Sequence, residues 1–262
     1  MLGIKSKIKL NNGTQMPLLG FGTYKLKPGK TTYDTVSAAL KLGYRHIDTA
    51  KYYGNEESVG RAIRDSGIPR EEIWVTTKLW PSDALHMEKA FDKSFKKLDI
   101  GYIDLYLIHW PVPGIVKKVW ANLEKLYADS GKIKAIGVSN HSVGQLKCIL
   151  DTSTIKPVVN QIKCSPYNYN PEMYNYCRQN NIVMEAYSPL TQGKKLNDPK
   201  LTEIAKKYGK TSAQILLRWC IQKEIPAIPK SIHTERIKEN MDIFDFELIN
   251  EDIVNLDNLS KQ

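Results

Sequence analysis

Eight short apolar runs, each followed by a longer amphipathic stretch, constrain this chain more than any other feature. The runs are LLGFGT (18–23), YRHID (44–48), IWVTTK (73–78), YIDLYLIH (102–109), IKAIGVS (133–139), VVNQIK (158–163), IVMEAY (182–187) and IPAIP (225–229). Between them lie helical patterns over 31–43, 56–67, 85–99, 119–131, 201–209 and 211–224. Strands joined through helix-length crossovers form a parallel sheet, and eight such strands close into a barrel filled by its own side chains. A length of 262 residues suits one such barrel. The fold class read from this pattern is α/β, a (β/α)8 barrel forming a single domain over residues 1–262, with an extra helix at the C-terminal end. Gly43, Gly67, Gly131 and Gly209 fall where a left-handed residue would close a helix. Residues 8–17 differ: Asn12-Gly13 is a hairpin turn signature, so a β-hairpin is expected to cap the bottom of the barrel.

Composition excludes several classes. With 42% hydrophobic and 25% charged residues the chain is that of an ordinary globular protein. The net charge of +10 comes from lysines spread through the helical stretches rather than from a basic tail. A solvated basic surface and a phosphate-bearing small ligand fit this better than nucleic acid. The four cysteines (Cys148, Cys164, Cys177, Cys220) are far apart and form no metal-ligand spacing, so no metal and reduced thiols are expected. MLGIKSKIKL has no apolar leader core and no run is long enough to span a bilayer, so a cytoplasmic, non-membrane protein is expected.

In a parallel barrel reactive groups sit at the C-terminal ends of strands. The second run ends in Asp48, the third in Lys78 and the fourth in His109, with Tyr52 and Tyr53 just beyond the second. Any one of these alone is more often a helix cap or a satisfied polar group. Together they suit proton delivery. A phenol, with a pKa near 10, is a poor acid at neutral pH. A neighbouring ammonium favours its phenolate, a carboxylate would hold that ammonium charged, and an imidazole can donate to a carbonyl oxygen. Which tyrosine is the acid is left open by this reasoning, and so is the source of the hydride.

YRHIDTAKYYGNE, TTKLWP, DLYLIHWP, GKIKAIGVSN, VNQI, AYSPL and IPKSIHTERIKEN resemble, in order and across nearly the whole chain, the motifs of the aldo-keto reductase family. The resemblance implies a barrel that reduces aldehydes and ketones with NADPH as cofactor and needs no Rossmann fingerprint. By motif position it implies a catalytic tetrad of Asp48, Tyr53, Lys78 and His109. Tyr53 is selected over Tyr52 because the family's acid lies five residues after the aspartate. It further implies that Tyr187 stacks on the nicotinamide and that Ser139, Asn140 and Gln161 hold its carboxamide. Lys230, Ser231 and Arg236 would bind the 2′-phosphate, and Glu239 and Asn240 the adenine. Gly22, Thr23, Asp48, Ser188 and Leu190 complete the implied cofactor contacts, and Tyr24, Trp80, Trp110 and His109 the substrate pocket.

Three departures qualify this expectation. His141 stands where the family commonly has Phe; the loop after His109 is short; and the chain reaches DNLSKQ soon after its last helix, without the tail that many members fold over the substrate. An open, permissive pocket for small carbonyl compounds is therefore expected, and the resemblance implies a monomer. Two rival readings are a cofactor-binding regulatory subunit of the same fold, and a Schiff-base lysine at Lys78 in an aldolase-type barrel.

Overall fold

A computed structural model describes residues 2–261. Hairpin strands β1 (Lys7–Lys9) and β2 (Gln15–Pro17) pair antiparallel and precede the barrel. The barrel strands are β3 (Phe21–Gly22), β4 (His46–Asp48), β5 (Trp74–Leu79), β6 (Leu105–Ile108), β7 (Ile136–Ser139), β8 (Val159–Lys163), β9 (Val183–Tyr187) and β10 (Ala227–Ile228). All neighbours pair in parallel, in sequence order. The ring closes between its ends through a bridge of Leu19 to Ala227, with Gly20 N–H donating to Ala227 O and Gly22 N–H to Pro229 O. The first and last strands are much shorter than the apolar runs that predict them. Pro226 and Pro229 offer no N–H to the ladder, so pairing there is confined to a few bonds.

The crossover helices are α1 (Lys30–Leu42), α2 (Glu56–Arg64), α3 (Met87–Leu98), α4 (Val116–Ser130), α5 (Val143–Leu150), α6 (Pro171–Gln179), α7 (Pro199–Lys207), α8 (Ser212–Gln222) and α9 (Thr234–Met241), with α10 (Asn250–Asp257) as the extra C-terminal helix. Their apolar faces and the outward residues of the strands, such as Ile47, Val75, Tyr106 and Ile108, make one continuous core. Gly60 of α2 lies so close to α3 that a Cβ there would sit 1.9 Å from Leu98 O, so no larger residue fits this crossing.

Gly43 and Gly131 close α1 and α4 in the left-handed conformation, as expected. Gly67 does not: α2 ends at Arg64, and Gly67 takes its positive φ two residues beyond the cap, Asp65. Three helices absent from the periodicity reading, α5, α6 and α9, are under three turns long. The starts of α5 and α6 were nonetheless written locally. Ser142 and Gln145 form a capping box, and Asn170 caps α6 with Pro171 at its first position.

The hairpin seals the lower mouth of the barrel. Asn11 Nδ2 donates to Pro157 O and Asn12 Nδ2 to Lys134 O, both just before barrel strands. Leu10 and Met16 pack against Trp74, Leu105, Leu107, Val158 and Val159 inside the barrel. With this end plugged, only the opposite rim is open to ligands. Among the described residues, no helix is long and apolar enough to cross a membrane.

Candidate active site

Strand alternation points Asp48 of β4, Lys78 of β5, Gln161 of β8 and Glu185 of β9 into the barrel, where all four are buried. Asp48 Oδ1 accepts from Lys78 Nζ at 2.7 Å and Oδ2 from Gln161 Nε2 at 2.8 Å. Lys78 Nζ also donates to Thr49 O at 2.9 Å and to Tyr53 Oη at 3.3 Å, so its three N–H groups all have partners.

Tyr53 reaches this ammonium from a single 3-10 turn, Lys51–Tyr53, closed by Gly54 in the left-handed conformation. The turn is pinned on both sides. Lys51 pairs with Asp83, and Thr49 Oγ1 donates to Asn55 Oδ1, whose Nδ2 donates in turn to Thr23 O. Lys78 donates to the phenol oxygen, so the phenol's own proton is not spent on that contact. No other protein acceptor for that proton is found among the described residues. Burial pushes the Tyr53 phenol up to about 12, and the Lys78 ammonium pulls against it. The sequence expectation of a phenol eased by lysine thus holds for the sign of the lysine's effect, but burial outweighs it. Tyr53 is a firmly protonated donor, and among the described residues Lys78 is the cation that stabilises its anion.

Burial lowers the pKa of Lys78 while the Asp48 carboxylate and the Tyr53 phenol raise it, and the net result is upward. A charged, fully hydrogen-bonded ammonium is not the free amine that Schiff-base chemistry needs. His109 is lowered to about 3, by burial first and then by Lys78, so its imidazole is neutral. A neutral imidazole can present one N–H to a carbonyl oxygen. The His109 ring stands edge-on to Tyr53 at 5.7 Å.

These groups open on a cavity of about 810 Å³. Of the residues expected to bind cofactor or substrate, Gly22, Tyr24, Asp48, Trp80, His109, Trp110, Ser139, Asn140, Gln161, Tyr187, Ser188, Leu190, Lys230, Ser231, Arg236, Glu239 and Asn240 all line it. Lys78 and Thr23 lie behind its wall; Thr23 is fully buried and donates its hydroxyl to Asp48 O. Gly22 is required at its position, since a Cβ there would come 2.9 Å from Ile228 O. Ser139 and Asn140 are committed to one another and to the barrel: Ser139 Oγ donates to Gln161 O, and Asn140 Nδ2 to His109 O and Ser139 Oγ. Asn140 Oδ1 receives the Tyr187 hydroxyl at 2.9 Å, which fixes that ring at the wall. Glu239 is likewise tied, accepting from Thr211 Oγ1 at 2.6 Å.

Elsewhere in the lining, Lys230 and Arg236 have no ion-pair partner among the described residues. Lys25 stands near enough to lower the Lys230 pKa, after burial, so positive charge gathers around Lys230. Sequence reasoning did not pick out Lys25 or Tyr52 as lining residues. The Tyr52 ring, about half exposed, stacks on Trp80 with centroids 4.0 Å apart and forms part of the cavity wall. Sequence reasoning also missed the backbone conformation of the loop after Tyr187, where Ser188, Thr191, Gln192 and Gly193 all have positive φ. In the sequence, only Gly193 marks that backbone.

Below Asp48, burial and then Asp48 raise Glu185 to about 8. An unfolded glutamate titrates near 4.3. Between about pH 4.3 and 8 the folded state therefore holds a proton that the unfolded state releases, and stability falls as pH rises through that window. Each pH unit is worth about 1.4 kcal/mol, or roughly 2–4 °C for a chain of this size. Glu185→Gln removes the proton, so its Tm advantage over the parent protein should widen from pH 5 to pH 8 in a calorimetric series. A constant difference would show that Glu185 titrates normally.

Comparison with known proteins gives a consistent pattern. A model of the aldo/keto reductase family matches residues 18–261. A glyoxal reductase of Bacillus subtilis (strain 168) is 48% identical over 260 residues, covering 98% of this chain and 94% of that protein. An aldehyde reductase of Saccharomyces cerevisiae is 41% identical, covering 97% of this chain and 90% of its own. The crystal structure of an aldo-keto reductase from a deep-sea metagenome superposes with a TM-score of 0.93 at 47% identity, covering 98% of this chain and 96% of that one.

Proposed function

The chain belongs to the aldo/keto reductase family, and on that premise we propose that it reduces small aldehydes and ketones with NADPH, Tyr53 being the general acid. The family assignment carries the coarser statement, an oxidoreductase of carbonyl compounds using a nicotinamide cofactor. The observation that carries the finer one is the Lys78–Tyr53 contact beside a cavity that Lys230 and Arg236 also line.

The residues present fit such a cofactor. Lys230 and Arg236 supply a point charge and a fork of donors suited to a phosphate, Gly22 leaves room for close approach, and Tyr187 offers a fixed aromatic face. When bound, the cofactor supplies the hydride. Tyr53 holds the proton for the carbonyl oxygen, and Lys78 stabilises the charge that grows on the phenol as the proton leaves. Neutral His109 orients the same oxygen, and Asp48 keeps Lys78 charged and aimed. Tyr24, Tyr52, Trp80 and Trp110 form an aromatic mouth open enough for varied small carbonyl compounds.

Arg236→Ala tests the cofactor choice. It should weaken NADPH binding by about 10- to 150-fold, the worth of a lost charged hydrogen bond, and leave NADH nearly unchanged. Fluorescence titration with both cofactors measures this. Equal weakening of the two would remove Arg236 from the 2′-phosphate.

A further inference from the structure

Gln161 lines the cavity with an amide whose two ends are chemically distinct, and the structure settles which end faces down. Its Nε2 donates both N–H groups inside the barrel, one to Asp48 Oδ2 and one to Glu185 Oε2, each at 2.8 Å. An amide nitrogen has only two hydrogens to give. The amide oxygen accepts no hydrogen bond among the described residues, and it is not one of the sealed, unpartnered atoms. It is the only part of this side chain left to meet a ligand.

Asp48 alone would not hold the amide this way, because rotation about the terminal bond could keep one N–H on Asp48 and swing the rest. Glu185 supplies the second anchor. It is fully buried on β9, and its Oε2 accepts from Gln161 Nε2. The other carboxyl oxygen, Oε1, faces His46 Nε2 at 3.5 Å and has no closer partner. His46 is held neutral, lowered to about 3 chiefly by burial. The charged or titratable groups around Glu185 are therefore Asp48 and His46 from β4 and Lys78 from β5. A Glu185 protonated on Oε1 toward His46 still accepts on Oε2, so Gln161 keeps the same orientation in either charge state. Gly20 makes room for this arrangement: a Cβ there would meet His46 Nδ1 at 2.6 Å.

We propose that Glu185 is a positioning residue, which with Asp48 fixes the Gln161 amide so that the cavity presents a hydrogen-bond acceptor and selects an N–H donor on the cofactor's ring substituent. The inference rests on the nicotinamide reading of the site and adds a specificity to it. An amide substituent has the N–H to give; a methyl ketone in its place has none.

The test compares binding of NADP⁺ with that of its 3-acetylpyridine analogue, by quenching of intrinsic tryptophan fluorescence, in the parent protein, Glu185→Gln and Glu185→Leu. The parent should prefer the carboxamide. Glu185→Gln, whose carbonyl can still accept from Gln161, should keep that preference. In Glu185→Leu the Gln161 amide is free to turn its nitrogen to the acetyl oxygen, and the preference should shrink by about 3- to 10-fold. A merely structural role would weaken both ligands alike and leave their ratio unmoved, which would overturn the proposal. Should Glu185→Leu fail to fold, Glu185→Met, of nearly the same length and without an acceptor, carries the same comparison. If the parent protein binds neither dinucleotide, the cofactor reading itself falls. If it binds both with a ratio that no variant changes, only the positioning role does.

Discussion

Tyr53→Phe is expected to abolish carbonyl reduction, lowering kcat by about 10²–10⁴-fold, the usual worth of a positioned general acid. NADPH affinity should be nearly unchanged. The variant deletes one oxygen, the cavity-facing hydroxyl that receives a hydrogen bond from Lys78. Its fold cost is small, because the ring contacts with Tyr24 and His109 survive. Tyr52→Phe is the control: its ring stacks on Trp80, and no hydrogen bond of its hydroxyl is among those found, so kcat should hold within a few fold. Single-turnover rates with a small aldehyde, beside cofactor titrations, separate chemistry from binding. Substantial turnover in Tyr53→Phe would remove the phenol from the mechanism. A matching loss in Tyr52→Phe would show that the wrong phenol had been chosen.

The position of Tyr53 was legible in the sequence, but its state was not. Asp48, Lys78 and His109 stand at the ends of runs that alternation identifies as strands, so their convergence on one rim follows from topology. Tyr53 came only from motif spacing, since the 3-10 turn that carries it has no periodicity to read. Burial raising its pKa above that of a free phenol depends on the packing of several elements, which no local pattern encodes. Glu185 was invisible for a related reason. Within IVMEAY it is one polar residue in a strand-like run, and only the barrel's register reveals that it shares Gln161 with Asp48. The stacking of Tyr52 and the left-handed backbone after Tyr187 were missed because both depend on loop conformation.

Lys78→Met should have the largest combined effect, costing stability as well as rate. The substitution leaves Asp48 buried with the Gln161 amide but no cation, and breaking a buried ion pair from one side typically costs about 3–5 kcal/mol. That cost belongs to the stranded carboxylate, not to the pair's net worth. Replacing both partners, Asp48→Asn with Lys78→Met, should therefore recover most of the stability, because no uncompensated charge remains. Activity behaves differently. The single variant loses the cation that contacts Tyr53, and the double variant does not restore it, so both should stay at least about 10²-fold below the parent in kcat. Denaturant melts read the first quantity and single-turnover rates the second. If stability and rate recovered together in the double variant, Lys78 would act through folding alone. If neither stability nor rate suffered in Lys78→Met, the ammonium would have no part in the site. Stability restored without activity is the result that a buried ion pair built to charge a phenol requires.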